Sequence, residues 1–204
     1  MLVPRLLPLD LEGTVGALNV SHFKPGAQIS VDHFKSCILG RTFDSLGKVF
    51  SSTYKGGCIF VDHSSGYIHV EHQVGFSAFE TIRAKQTFEG FALSPGVVIE
   101  SYLTDSGTFK ATSFIQQIQD HNQRIQYCGA NAHHKNGVAE LAIRSPSNMA
   151  RAMLLHASST WMNGIDVSLW SMAIKYAVFS IITYQMPSSC VQPTFLRTSF
   201  VPIV

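Results

Sequence analysis

Period-two alternation of apolar and polar residues governs the first half of this chain, and helical spacing governs much of the second. Gln28-Ile29-Ser30-Val31-Asp32-His33-Phe34 alternates and predicts a short strand with Asp32 at its end. Residues 35 to 56, rich in Ser, Gly and Lys, read as a loop. Cys58 to His63 is a second apolar run, Ser64-Ser65-Gly66 a turn, and Tyr67 to Gln73 a third run with period two. Two runs joined by so short a turn predict a β-hairpin.

Ser77-Ala78-Phe79-Glu80 has the form of a capping box, in which the Ser oxygen accepts from the Glu backbone N–H. It predicts a helix to about Leu93 with Phe79, Ile82, Phe88, Phe91 and Ala92 as its buried stripe, ended by Pro95-Gly96. Val97 to Leu103 predicts a strand that delivers Asp105 just past its end. A helix from Thr112 to about His121, a strand from Ile125 to Cys128 and a loop over residues 129–136 follow. From Gly137 a helix is predicted to about Ala157, with Met149, Ala150, Met153, Leu154 and Ala157 on one face. Pro146 lies inside it and is expected to kink or split it. A last helix runs from about Asp166 to Met186 and stops before Pro187.

Antiparallel strands first and alternating helices and strands afterwards predict an α/β fold, a mixed sheet with helices packed on it. Residues 1–26 are broken by Pro4, Pro8, Gly13, Gly16, Pro25 and Gly26 and read as a loose N-terminal arm. Residues 188–204 show no period and read as an irregular tail. The organised domain is therefore 27–187.

Composition narrows the class. Hydrophobic residues make up 46% and charged residues 14%, which suffices for a sizeable core and argues against wholesale disorder. The formal net charge of +2 is too small to argue for nucleic acid by itself. Cys37, Cys58, Cys128 and Cys190 form no CxxC pair, so a zinc ribbon is disfavoured and reduced thiols in an intracellular protein are expected. The first eleven residues lack the continuous apolar stretch of a signal peptide. Val167 to Met186 is long enough to span a bilayer, but Lys175 at its centre favours a buried helix of a soluble protein and no membrane. His63, His69 and His72 lack zinc spacing and read as strand-surface histidines.

The chemistry concentrates between Tyr102 and Arg144. Asp105 ends an apolar run and is followed by Ser-Gly; Glu140 comes after 34 intervening residues, near the start of a helix. Two carboxylates so placed suit a divalent metal if a third acid joins them from upstream. Asp32 and Asp62 compete for that place.

The motifs Ser30-Val31-Asp32-His33, Ile59-Phe60-Val61-Asp62-His63-Ser64-Ser65-Gly66-Tyr67, Thr104-Asp105-Ser106-Gly107-Thr108-Phe109 and His134-Lys135-Asn136-Gly137-Val138-Ala139-Glu140, in this order, resemble the integrase catalytic core of a Ty1/copia-type LTR retrotransposon. The resemblance spans about Gly26 to Pro187. It implies a ribonuclease-H-like fold, a mixed five-stranded sheet with helices on both faces. It also implies a DDE polynucleotidyl transferase that trims the 3′ ends of element DNA and joins them to target DNA, working as a homo-oligomer in the nucleus.

The family pattern puts its first Asp on the strand before the hairpin. Catalytic and metal-binding residues are then Asp32, Asp105 and Glu140, holding two Mg²⁺ (or Mn²⁺) ions, and Asp62 becomes a turn-capping residue. Hard carboxylate oxygens suit such ions and leave positions open for phosphate. Arg144, four residues after Glu140 and on the same helix face, would contact nucleic acid together with Lys135 and His134. The chain departs from the pattern at Leu141, where Arg is usual, at Ser106 and Thr108, and at Pro146. The upstream His/Cys zinc module is also missing. The competing expectation is a fragment of a decayed element, catalytically inactive, that at most binds nucleic acid.

Overall fold

A computed structural model describes residues 24–43, 52–128, 137–161 and 164–185. The loose arm up to residue 23, the irregular tail, and the loop holding His133, His134 and Lys135 lie outside the described residues. The elements are β1 (Ile29–Gly40), β2 (Tyr54–Asp62), β3 (Ile68–Gln73), α1 (Ala78–Leu93), β4 (Ser101–Thr104), α2 (Thr112–Asp120), β5 (Arg124–Tyr127), α3 (Gly137–Thr160) and α4 (Trp170–Gln185). Short 3-10 turns at Thr108–Lys110 and Val167–Leu169 precede α2 and α4.

The strands form one five-stranded sheet in the order β3-β2-β1-β4-β5. β1 to β3 are antiparallel neighbours, whereas β4 runs parallel to β1 and β5 parallel to β4. This is the expected mixed sheet. Side-chain alternation along β1 and β2 divides the interior in two. Ile29, Val31, Cys58 and Phe60 face Ala84 and Phe88 of α1 and Phe114 and Ile118 of α2. Ile59, Val61, Ile68 and Val70 face Ala139, Ala142 and Ala150 of α3 and Trp170, Ile174, Ala177 and Val178 of α4. Helices thus cover both faces, and β1 is the central strand.

β1 is longer than its alternation suggests. It runs on to Gly40, so Asp32 lies in its first third and not at its end, and residues 35–40 are strand where a loop is expected. Distant groups hold this extension. Trp170 donates its indole N–H to the Ile38 carbonyl at 2.9 Å, and Arg41 N donates to Ser168 O at 2.8 Å. A Cβ at Gly40 would lie 2.7 Å from the Trp170 ring, so the strand can meet α4 only through a glycine. Gly56 is equally constrained, because a Cβ there would fall 2.0 Å from the Phe34 carbonyl oxygen across the β1–β2 ladder.

The hairpin forms as predicted, with Gly66 at φ +68° in its turn. The capping box also forms in its first half, since Ser77 Oγ accepts from Glu80 N at 3.3 Å. The buried stripe of α1 differs from the expected one: Thr81, Ala84, Lys85 and Phe88 point inward, while Phe79 is 72% exposed. Lys85 can be buried because its ammonium lies 3.0 Å from Glu89, which also accepts from Tyr102 Oη at 2.7 Å and Gln123 Nε2 at 2.6 Å. A buried charge survives when it is paired and hydrogen-bonded.

The three strand histidines are also interior, contrary to a surface placement. His69 packs against Phe60, Phe88 and Phe91, and His72 against Phe34, Phe43, Tyr54 and Trp170. Edge strand β3 is covered by α1 on one face and α4 on the other, which leaves no solvent side for His69 and His72, while His63 is buried in the turn after β2 with Nε2 2.7 Å from Ser30 Oγ.

α3 continues through Pro146 without splitting. The ring is buried in a seam with Phe34, Ile59, Val70, Ile143 and Ile174. Ser147 Oγ donates to the Ile143 carbonyl at 2.7 Å, one residue beyond the Ala142 carbonyl that loses its helical donor to proline. In α4, capped in its preceding turn by Asp166, the buried residues Trp170, Ser171, Ile174, Ala177 and Val178 form one stripe. Tyr176 and Tyr184 are exposed, so the helix packs by one face and is not buried all round. Val167–Tyr184 is long and apolar enough to cross a membrane by length and composition.

Candidate active site

The β1–β4 register builds the candidate site. Ile29 pairs with Tyr102, Ser30 with Leu103 and Val31 with Thr104, where the parallel ladder ends. Asp32 and Asp105 are the next residues on the two strands and so occupy neighbouring positions. Both are half-buried. Alternation puts Asp32 on the α3–α4 face, opposite Ile59 of β2.

Each aspartate is oriented by local backbone. Asp32 Oδ1 accepts from His33 N at 2.7 Å, and Asp105 Oδ1 accepts from Gly107 N at 3.2 Å. Cys58 lies buried behind them. Burial, reinforced by the negative charges of Asp32, Glu71 and Asp105, pushes its thiol well above the usual range and keeps it neutral.

Asp62, the competitor of Asp32, has its oxygens committed to the hairpin turn. They accept from Gly26 N at 3.1 Å, Ser65 N at 2.9 Å and Ser65 Oγ at 2.5 Å. It is a buried turn-capping residue that ties residue 26 to the β2–β3 turn.

Glu140 stands in the first turn of α3 and is exposed, while its neighbours Ala139 and Ala142 are buried against the sheet. Ile143, one turn later, meets Ile59, the strand partner of Asp32. α3 therefore passes over the Asp32 region with Glu140 near its start. Among the described residues, no three His, Cys, Asp or Glu side chains come close enough together to hold one metal ion. The donor set fits a divalent cation at Asp32 and Asp105, two hard carboxylates at adjacent strand positions, and the structure does not bring Glu140 into a group with them. Arg144 is exposed one turn beyond Glu140, and Arg151 is exposed further along α3.

His33, not singled out by the sequence beyond its place beside Asp32, occupies the opposite face of β1. Its ring stacks on Phe109 with centroids 4.6 Å apart, meets Phe76 edge-on, and lies 3.1 Å from Thr81 Oγ1 through Nε2. Burial lowers its pKa to about 4; the nearby Asp105 opposes that shift and Lys35 adds to it. The ring is therefore neutral at neutral pH.

No known family model matches the sequence, and no curated protein is similar to it in sequence. Solved structures do match in shape. The HTLV-2 integrase catalytic core domain in complex with magnesium, in its dimeric form, aligns with a TM-score of 0.51 at 18% identity, over 76% of this chain and 86% of that one. The trimeric form of the same domain aligns with a TM-score of 0.52, also at 18% identity, over 76% and 84%. The simian T-cell lymphotropic virus intasome in complex with PP2A regulatory subunit B56 gamma aligns with a TM-score of 0.59 at 14% identity, over 88% of this chain and 56% of that one. This chain has the ribonuclease-H-like α/β fold of retroviral integrase catalytic cores.

Proposed function

We propose that this chain is a DNA integrase core of the DDE class, from a Ty1/copia-type retrotransposon, acting on element DNA ends and target DNA. The observation that carries the reading is the parallel register of β1 and β4, which makes Asp32 and Asp105 neighbours in an integrase-like fold. Asp32, Asp105 and Glu140 are the proposed catalytic carboxylates. Asp32 and Asp105, at neighbouring strand positions, would supply two oxygen donors, and Glu140 would have to approach them from the first turn of α3 to complete the set. Mg²⁺ or Mn²⁺ held there supplies Lewis acidity and neutralises charge at the reacting phosphate. Arg144, with Lys135 and His134 from the preceding loop, is proposed to bind the DNA backbone as phosphate contacts that position without reading sequence. The neighbours' multimeric and intasome forms support assembly of several copies on DNA; a nuclear location is proposed from the sequence resemblance alone.

A second reading is favoured by one observation: Glu140 does not join the aspartates in a three-residue group among the described residues. Under it the chain is an inactive remnant that at most binds nucleic acid. Strand-transfer and nicking assays on short duplex ends with Mg²⁺ or Mn²⁺ separate the two. The integrase reading expects activity in the wild-type chain and its loss in Asp32→Asn, Asp105→Asn and Glu140→Gln proteins with unchanged circular dichroism. Binding of duplex without turnover in either metal would establish the remnant reading instead.

A further inference from the structure

Three parts of the chain meet at His33. Its backbone belongs to β1 directly after Asp32. Its ring stacks on Phe109, which lies in the 3-10 turn following Asp105. Its Nε2 reaches Thr81 in the first turn of α1. The residue just before the α1 cap is also bound to the Asp105 segment, because Thr108 Oγ1 donates to the Phe76 carbonyl at 3.2 Å.

The hydrogen-bond inventory fixes the direction of the His33–Thr81 bond. Thr81 has one hydroxyl proton and donates it to the Ser77 carbonyl at 3.0 Å. Its oxygen can then only accept, so His33 Nε2 carries the proton and donates. The imidazole is thereby held as one tautomer in one orientation between Phe109 and Phe76. A ring fixed on three sides is a rigid spacer between β1 and the segment bearing Asp105.

We propose that His33 is a positioning residue: its imidazole locks the Asp105 segment against β1 and sets the spacing of Asp32 and Asp105. The inference rests on reading those two aspartates as the carboxylates that hold a divalent ion. Groups that orient metal-holding side chains typically change metal affinity by about 10–100-fold when removed. Asp105 lies beyond the end of β4, where the ladder no longer holds it. Its segment is held by the Gly107 N–H bond, the 3-10 turn, the Thr108–Phe76 and Tyr127–Phe109 hydrogen bonds, and the contacts of the Phe109 ring with Phe114 and His33, of which the last ties it directly to β1.

The test uses the full chain with Mn²⁺ as probe and two readouts, Mn²⁺ affinity and amide hydrogen exchange at Gly107, Lys110 and Ala111. His33→Ala is expected to weaken Mn²⁺ binding roughly tenfold and to speed exchange at the three amides by a similar factor. His33→Phe keeps a ring on Phe109 and is expected to recover most of the protection. Phe88→Leu, in the same core but stacked on Phe60 and packed against His69, serves as the reference for plain destabilisation. It should lower the thermal midpoint without selectively exposing those amides. Exchange at the three amides that is unchanged in His33→Ala, or that rises equally in Phe88→Leu, overturns the proposal. A wild-type chain that takes up no Mn²⁺ counts against the metal reading alone, and the exchange comparison still decides the part played by His33.

Discussion

Val31 of β1 and Thr104 of β4 are the last partners in the parallel ladder, so Asp32 and Asp105 follow side by side where the ladder ends. Asp62 sits three pairs away on β2, opposite Ile29, with its oxygens spent on the hairpin turn. The two kinds of aspartate should respond differently to amide substitution. Asp62→Asn is expected to cost about 1–3 kcal/mol of stability by weakening charge-assisted bonds. Metal-dependent activity per folded molecule should stay near wild type. Asp32→Asn is expected to leave the urea midpoint close to wild type and abolish that activity. Urea denaturation paired with strand-transfer assays checks both.

His72 predicts an acid-sensitive fold. Burial among Phe34, Phe43, Tyr54 and Trp170 lowers its pKa from 6.5 to about 3, with smaller contributions from Lys175 and His69. The folded pKa lies below the unfolded one, so the unfolded state binds more protons at acid pH. This contribution is fully present above pH 6.5. It declines by about 1.4 kcal/mol per pH unit as pH falls from there toward 3. His72→Phe should flatten the dependence of unfolding free energy over this window. An unchanged slope in the variant would show that other groups cause it.

The Lys85–Glu89 pair should behave as a unit. Among the described residues, Lys85→Met leaves Glu89 with Tyr102 and Gln123 as partners and is expected to cost roughly 3 kcal/mol, the lower end for breaking a buried pair because Glu89 retains some exposure. Adding Glu89→Gln should recover more than half of that loss, since no charge is then left without its partner. A double-mutant cycle in urea measures the coupling, and additive losses would contradict it.

Pro146 is a helix-interior proline held in place by packing. Pro146→Ala restores a backbone donor, and proline costs ~3 kcal/mol relative to alanine inside a helix. The substitution also gives up two buried ring carbons, worth ~0.8 kcal/mol each. The expected net effect is a stabilisation of about 1 kcal/mol, read as a higher urea midpoint. A lower midpoint would mean that the seam with Phe34, Ile59 and Ile174 depends on the ring more than the helix depends on the missing bond.

Local chemistry was legible where local residues decide the outcome. The hairpin turn after Asp62, the Ser77 cap and the strand end before Asp105 all depend on near neighbours, and each formed where its residues predict. The extension of β1 was not legible, because Cys37, Ile38 and Leu39 are exposed and carry no alternation. What holds that stretch, Trp170 and Ser168, comes from the far end of the chain. The inward face of α1 departs from its hydrophobic pattern for a related reason. Hydrophobic periodicity places a lysine outside, and the contacts with Glu89 and the Tyr102 ring make Lys85 an interior residue. At the candidate site, Asp32 and Asp105 could be chosen from sequence, but their adjacency depends on strand register. The place of His33 depends on Phe109 and Thr81, which no spacing rule links to it.

The central position of β1 has a consequence for how the chain is made. Until residues 101–104 leave the ribosome, β1 pairs only with β2, and its other edge offers unmatched N–H and C=O groups. An open strand edge is a template for pairing with another chain. A nascent or truncated chain ending before β4 therefore exposes a sticky seam at the strand that bears Asp32. Arrival of β4 seals that seam and brings Asp105 into place in one event, so the emergence of this part of the site and the loss of an aggregation hazard coincide during synthesis.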